Sequence, residues 1–362
     1  MQTYKPPAAN AGQLQEQCSA AGIRQSNMAS YLDGQFRLDA GKFRDGGRLR
    51  SGYDNLDALT NLYPGLYVIG AISSLGKTTF MHQMCDQIAE SGTHALFFSL
   101  EQSTLDLASK SISRCIARRA DGDGGSQEIL SSLQIRQSDL SDPSITAAIR
   151  SYRAYADKLT VIECSFRATI NDIEKTVHEY IRQNHVKPVV VIDYLQVIQT
   201  PEGSGMTAKD AVDYHVRRLK ALQSDCQLTM IVVSSINRQN YMTSIDFESF
   251  KESGGIEYTA DVVWGLQFQC IHHDIFSRQN KVNEKREMIQ KARRELPRKV
   301  ELVCLKNRFG ISSYSCRFDY YSNCDWFKPD FTRMGLGAVN EASAGSGRFT
   351  DIPPELQCGL PY

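Results

Sequence analysis

Apolar positions follow two different periods along this chain. Short unbroken apolar runs fall at 66–70, Ala95-Leu96-Phe97-Phe98-Ser99-Leu100, Val189-Val190-Val191-Ile192-Asp193 and Thr229-Met230-Ile231-Val232-Val233-Ser234. Runs of this length, rich in branched residues, predict strands covered on both faces. Stretches with helical spacing stand between them. Phe80, Met84 and Ile88 recur every four residues in a predicted helix from Lys77 to about Ser91, and Ile170, Ile173, Val177, Tyr180 and Ile181 share one side of a helix over 170–183. Strand, helix, strand in succession is the pattern of a parallel sheet. Further strands are expected at 159–163 and 262–268, further helices over 104–118, 144–157 and 207–224, and a charged helix over 278–299. Leu302-Val303-Cys304-Leu305, the segment 306–310 and the run 314–319 together predict a C-terminal β-hairpin. The fold class is α/β, with a mainly parallel central sheet flanked by helices.

The two ends differ in texture. Residues 1–11 are rich in Pro, Ala and Asn and read as disordered, 12–32 as one helix, and 33–53 as a glycine-rich basic connector, with a boundary near residue 50. Beyond about 334, Gly, Ser, Ala and Pro predict a disordered tail.

Composition narrows the setting. The 362 residues carry 41 basic and 41 acidic side chains, so any nucleic-acid site must be a local patch. The densest basic stretch is 278–308, which reads equally as a DNA-facing or partner-facing helix or as a solvated face. Ten cysteines without a Cys-x-x-Cys pair suit reduced core thiols and a cytoplasmic setting. No apolar run approaches the ~20 residues of a membrane helix, and no membrane partner is expected.

Chemistry concentrates at one junction. Ala71-Ile72-Ser73-Ser74-Leu75-Gly76-Lys77-Thr78-Thr79 joins an apolar strand to a helix start, the build of a phosphate-binding loop. Backbone N–H groups at such a turn and the positive helix end surround a triphosphate, Lys77 reaches the outer phosphates, and the Thr78 hydroxyl holds Mg²⁺. The strict motif wants Gly where Ala71 stands; an ordinary strand-to-helix turn with a solvated lysine is the plain alternative. Asp193 ends a strand and is a second candidate on Mg²⁺, or else a cap for the next helix. Glu101, ending another strand on the same expected sheet edge, is placed to polarise water, or is an exposed glutamate.

A set of motifs in order makes the resemblance specific. They are Ser51-Gly52-Tyr53-Asp54-Asn55-Leu56-Asp57, Ser74-Leu75-Gly76-Lys77-Thr78, Phe97-Phe98-Ser99-Leu100-Glu101 and Val191-Ile192-Asp193-Tyr194-Leu195-Gln196, followed by Ser235-Ile236-Asn237-Arg238, Lys251-Glu252-Ser253-Gly254-Gly255-Ile256-Glu257 with Ala260-Asp261-Val262-Val263, and Lys306-Asn307-Arg308-Phe309-Gly310. Over roughly residues 50–330 the chain resembles the RecA-like P-loop ATPase domain of DnaB-type replicative DNA helicases, in which Ala is common at the Ala71 position. The resemblance implies ATP and Mg²⁺ as ligands, Glu101 as the carboxylate that activates water and Asp193 as the metal-side acid. It implies that Arg308, helped by Lys306, acts in the neighbouring subunit's site, so that activity needs a homo-oligomeric ring, expected to be a hexamer. It also implies single-stranded DNA held through its backbone by Arg238, Lys251, Glu252 and Gly254, and a primase or a loader as a further partner.

Three departures from the family pattern stand out. Ser235 occupies the place of a glutamine that senses the γ-phosphate and couples it to the DNA loops. Ile72-Ser73 replaces Arg-Pro, and only the helix at 12–32 matches the family's N-terminal part, at its linker-helix position. The expected function is a DNA helicase that hydrolyses ATP and translocates on single-stranded DNA in replication. A recombinase-like or loader-like ATPase that assembles on DNA without unwinding is the alternative, and a subunit holding ATP structurally is the third reading.

Overall fold

The computed structural model describes residues 27–46, 49–72, 74–122, 128–200, 204–237, 242–250, 254–278 and 281–336. It divides at residue 48 into two units. The first contains, among the described residues, helices α1 (Met28–Gly34) and α2 (Phe36–Gly46). Asn27 caps α1 by accepting from the N–H groups of Ala29 and Ser30. The connector expected over 33–53 is thus partly helical. Asp39 accepts from Tyr31 Oη at 3.1 Å and from Gln35 Nε2 at 2.9 Å, so side-chain bonds one and two turns apart support a helix that its glycines argued against. The segments at 1–26 and 337–362 lie outside the described residues.

The second unit opens with the short helix α3 (Asp54–Asp57), followed by β1 (Gly65–Ala71), α4 (Lys77–Glu90), β2 (Ala95–Ser99) and α5 (Thr104–Gly122). Next come α6 (Ser132–Gln137), α7 (Pro143–Arg153), β3 (Leu159–Glu163), α8 (Ile170–Asn184) and β4 (Val189–Asp193). The chain continues through α9 (Ala208–Cys226), β5 (Thr229–Ser235), α10 (Gly254–Thr259), β6 (Val262–Phe268) and α11 (Val282–Arg294). It closes with β7 (Arg298–Asn307), β8 (Tyr314–Tyr321) and β9 (Trp326–Leu336).

Among the described residues, nine strands form one sheet in the order β3-β2-β4-β5-β1-β6-β7-β8-β9. The pairs from β3 to β6 are parallel, and those from β6 to β9 antiparallel. Alternate residues of the parallel strands enter opposite cores, as the two-residue period of a strand requires. Tyr67, Ile69, Phe97, Val191, Ile231, Val233 and Trp264 join Phe80, Met84 and Ile88 of α4 on one face. Leu66, Val68, Leu96, Phe98, Val190, Ile192 and Val232 meet α8 and α9 on the other, through Ile173, Val177, Val212, Val216 and Leu219. β8 instead alternates buried and half-exposed positions, as an antiparallel strand with one solvated face does.

The predicted hairpin is a three-stranded meander. β9 carries Pro329 and several charges and does not read as a strand, yet a sheet edge tolerates Pro because its missing N–H faces outward. This strand also reaches residue 336, past the predicted start of the tail. Helix α11 ends before Pro297, so Arg298 and Lys299 belong to β7 rather than to the charged helix expected over 278–299. Helix α5 continues to Gly122, past its predicted end at 118.

Candidate active site

Strand register sets the site's position. Ser99 pairs with Asp193 across β2 and β4, and Ala71 pairs with Ser235 across β1 and β5. The carboxyl ends of four strands therefore share one sheet edge, where open α/β sheets bind ligands. The phosphate-loop segment starts there at Ala71, and Lys77 and Thr78 open α4. Its last turn needs glycine: Gly76 has φ +92°, and a Cβ there would come 2.7 Å from Tyr320 Cε1 and 3.0 Å from Phe327 Cζ. Those two rings are stacked, with centroids 4.0 Å apart and planes 7° apart, so β8 and β9 build a floor under the loop. Arg298, at the start of β7, lies over the Tyr320 ring and donates to the Ser74 carbonyl at 3.4 Å. Leu75 is buried, Ser74 is exposed, and Ser73 lies outside the described residues.

Thr78 Oγ1 donates to Asp193 Oδ2 at 2.5 Å. Asp193 is buried, and its other carboxylate oxygen, Oδ1, has no hydrogen-bond partner among the described residues. Burial is the main cause that raises its pKa, and the Glu101 charge adds to it. The Thr78 hydroxyl, Lys77 and Lys110 act the other way. Magnesium prefers a few oxygen donors completed by water and phosphate, and a hydroxyl beside a buried carboxylate with a spare oxygen fits it. Thr78 would hold the ion directly and Asp193 from beside it. Lys77 Nζ stands 5.1 Å from the Tyr194 ring centroid. Glu101 is exposed just past β2, and its charge reaches both Asp193 and Tyr194.

A polar layer behind α4 is absent from the sequence reading. Lys110 Nζ donates to Thr79 Oγ1 at 3.0 Å and lies 3.6 Å from Asp325 Oδ1. Arg114, one turn further along α5, pairs with buried Asp86 and donates to the Asp325 carbonyl at 2.6 Å. Two cations spaced four apart on the helix face that also buries Leu107 were the available signal. Asp325 could not have been found that way, because it precedes the missed strand β9.

Lys306 and Arg308 fall elsewhere. Val262, which starts β6, pairs with Tyr67 on one side and with Asn307 on the other, so both cations lie at the amino-terminal edge of β1 and β6. Arg308 Nη1 donates to Asp261 Oδ1 at 3.1 Å, and its Nη2 to the Tyr258 carbonyl at 3.2 Å, with half of the side chain exposed. Lys306 donates to the Glu257 carbonyl at 2.5 Å, and burial is the largest cause lowering its pKa, followed by Arg308. Gly254 begins α10, while Arg238, Lys251 and Glu252 lie outside the described residues. Among the described residues, no helix is long and apolar enough to cross a membrane.

The chain is 27% identical over 232 residues to the replicative DNA helicase DnaB of Buchnera aphidicola subsp. Baizongia pistaciae, covering 62% of this chain and 48% of that protein. It is 28% identical over 220 residues to the DnaB of Pasteurella multocida, covering 59% of this chain and 44% of that one. The chain thus spans about half the length of these relatives. A separately solved ATPase domain superposes with a TM-score of 0.63 at 18% identity, covering 84% of this chain and 99% of that domain. A DnaB-like replicative helicase, studied for its interactions with primase, superposes with the same TM-score of 0.63 at 17% identity, covering 84% of this chain and 67% of that one. These superpositions show a common fold. The profile of the DnaB-like helicase C-terminal domain matches residues 48–321, and the chain belongs to that family.

Proposed function

We propose that this chain is an ATP-hydrolysing domain that works at the interfaces of a ring and translocates on single-stranded DNA in replication, in a cytoplasmic setting. One observation carries the reading: the phosphate-loop half of the site and the Lys306–Arg308 half occupy opposite edges of the same sheet. Strand β1, from Gly65 to Ala71, separates them by roughly 20 Å at about 3.3 Å per residue. Arg308 therefore does not complete its own chain's site, and a second copy has to supply it.

In such an interface Lys77 and the N–H groups of 74–78 would hold the phosphates, and Thr78 and Asp193 would hold a magnesium ion, which would supply positive charge beside them. Glu101 orients the attacking water and takes its proton, while the partner copy's arginine steadies the transition state. Arg238, Lys251, Glu252 and Gly254 hold the DNA backbone, which predicts sequence-independent and salt-sensitive binding. A primase is the proposed protein partner, because one similar structure was solved for its interactions with primase. Kinship with replicative helicases favours unwinding over assembly on DNA alone.

The test is subunit mixing. Lys77→Ala and Arg308→Ala chains, each inactive alone, should regain ATP turnover when combined, because one intact interface forms between an unaltered phosphate loop and an unaltered arginine. Absence of recovery in mixed oligomers of verified composition would sink the shared-site reading.

A further inference from the structure

Ser235 stands where the family resemblance places a glutamine, yet a glutamine does reach this point, from the turn that follows β4. Gln196 lies three residues past Asp193, in a single turn pinned by buried Leu195 and Ile198. Its side-chain oxygen accepts from the Ser235 N–H at 3.1 Å, and its amide nitrogen donates to Ser234 Oγ at 2.8 Å. Ser234 is fully buried, while Gln196 and Ser235 are half-buried, so the bond to Ser234 Oγ is the one better shielded from competing water.

The far side of this bridge is tied down as well. Ile236 forms a β-bridge with Phe250, and the Asn237 N–H donates to the Ser249 carbonyl at 2.7 Å. Ile236 and Phe250 pack over Gly70, where a Cβ would come 2.5 Å from Phe250 Cε1 and 2.9 Å from Ile236 Cγ2. The end of β5 and the residues joined to it thus rest on the strand that enters the phosphate loop. On the near side, Tyr194 and Gln196 share one turn, and the Tyr194 ring faces Lys77.

We propose that Gln196 is the positioning residue that couples the occupancy of the phosphate site to the end of β5 and the segment 242–250. When Lys77 and Asp193 engage a nucleotide and its metal, the turn carrying Tyr194 and Gln196 adjusts, and the two hydrogen bonds pass that adjustment to Ser234 and Ser235. From there it reaches Ile236 and Phe250. This rests on the nucleotide-site reading above and supplies, from the turn after β4, the link that Ser235 lacks.

The test compares wild type with Gln196→Met, which keeps the volume and removes both bonds. Hydrogen exchange of peptides covering 228–237 and 242–250 is measured with and without a slowly hydrolysed ATP analogue, alongside analogue affinity, basal ATPase and stimulation by oligo-dT. Wild type should gain protection in both peptides. Gln196→Met should bind analogue and turn over basally as wild type does, should lose the protection, and should lose about 5-fold or more of the DNA stimulation. Unchanged protection and stimulation in the variant would overturn the proposal. So would a variant whose melting temperature and analogue affinity fall together, since that marks a merely structural residue. A wild-type protein that binds no analogue overturns the nucleotide-site reading itself, and this proposal with it. Gln196→Glu, which keeps the acceptor toward the Ser235 N–H, should retain part of the protection.

Discussion

Lys77 and Arg308 lie off opposite edges of one sheet: Lys77 follows the carboxyl end of β1, and Arg308 stands beside its amino end, tied to Asp261, whose Oδ2 accepts from the Leu66 N–H at 2.8 Å. Arg308→Ala should therefore lower ATP turnover by ~10³-fold or more and leave nucleotide affinity unchanged. Paired kcat and equilibrium binding measurements check this. A loss of affinity equal to the loss of rate would place the arginine in its own chain's site.

Asp261 holds the arginine from behind. Its carboxylate also receives Lys220 Nζ at 2.5 Å, and half of the Arg308 side chain stays exposed. Asp261→Asn keeps an acceptor for the Leu66 N–H but loses the charge. Turnover should fall about 10- to 100-fold, as it does when a catalytic group is misplaced by an ångström. The effect should vanish in an Arg308→Ala background, and a double-mutant cycle on kcat reads this directly.

Gly76→Ala combines a left-handed backbone with a clash against Tyr320 and Phe327. It should destabilise the protein by about 1–3 kcal/mol and remove nucleotide binding, as seen in thermal melts and titration. Gly92 has φ +97° and, among the described residues, nothing within 4 Å of its would-be Cβ. The same substitution there should carry the backbone cost alone and spare binding.

His82 is fully buried in α4 against Phe97, and burial pulls its pKa down from 6.5 to about 4. Between those two values the unfolded chain takes up a proton that the folded chain refuses, so stability should rise with pH across that window. His82→Phe should flatten this part of the profile in urea melts taken from about pH 4 to 7. A steep slope that persists in the variant would assign the acid sensitivity to other groups.

Hydrophobic period by itself determined the parallel half of this protein. Strands at 189–193 and 262–268 have the bounds read from the sequence, because a strand buried on both faces is made mostly of apolar residues and turn residues flank it; the edge strand at 159–163, half-exposed over most of its length, has its predicted bounds as well. The positions of Lys77, Thr78, Asp193 and Glu101 were equally legible, since each follows or ends a strand and strand ends meet at one edge. The antiparallel half was less so: β9 hides behind Pro329 and its charges, which an edge strand tolerates. Without β9 there was no reason to place Asp325, Phe327, Lys110 and Arg298 around the phosphate loop. Only the tertiary structure decided which edge each cation occupies. Arg298 and Arg308 are close in sequence, yet they stand at opposite ends of β7, the first against the phosphate loop and the second beside Asp261 at the far edge. Sequence spacing fixes the length between two residues, but the direction a strand takes depends on the partner with which it pairs.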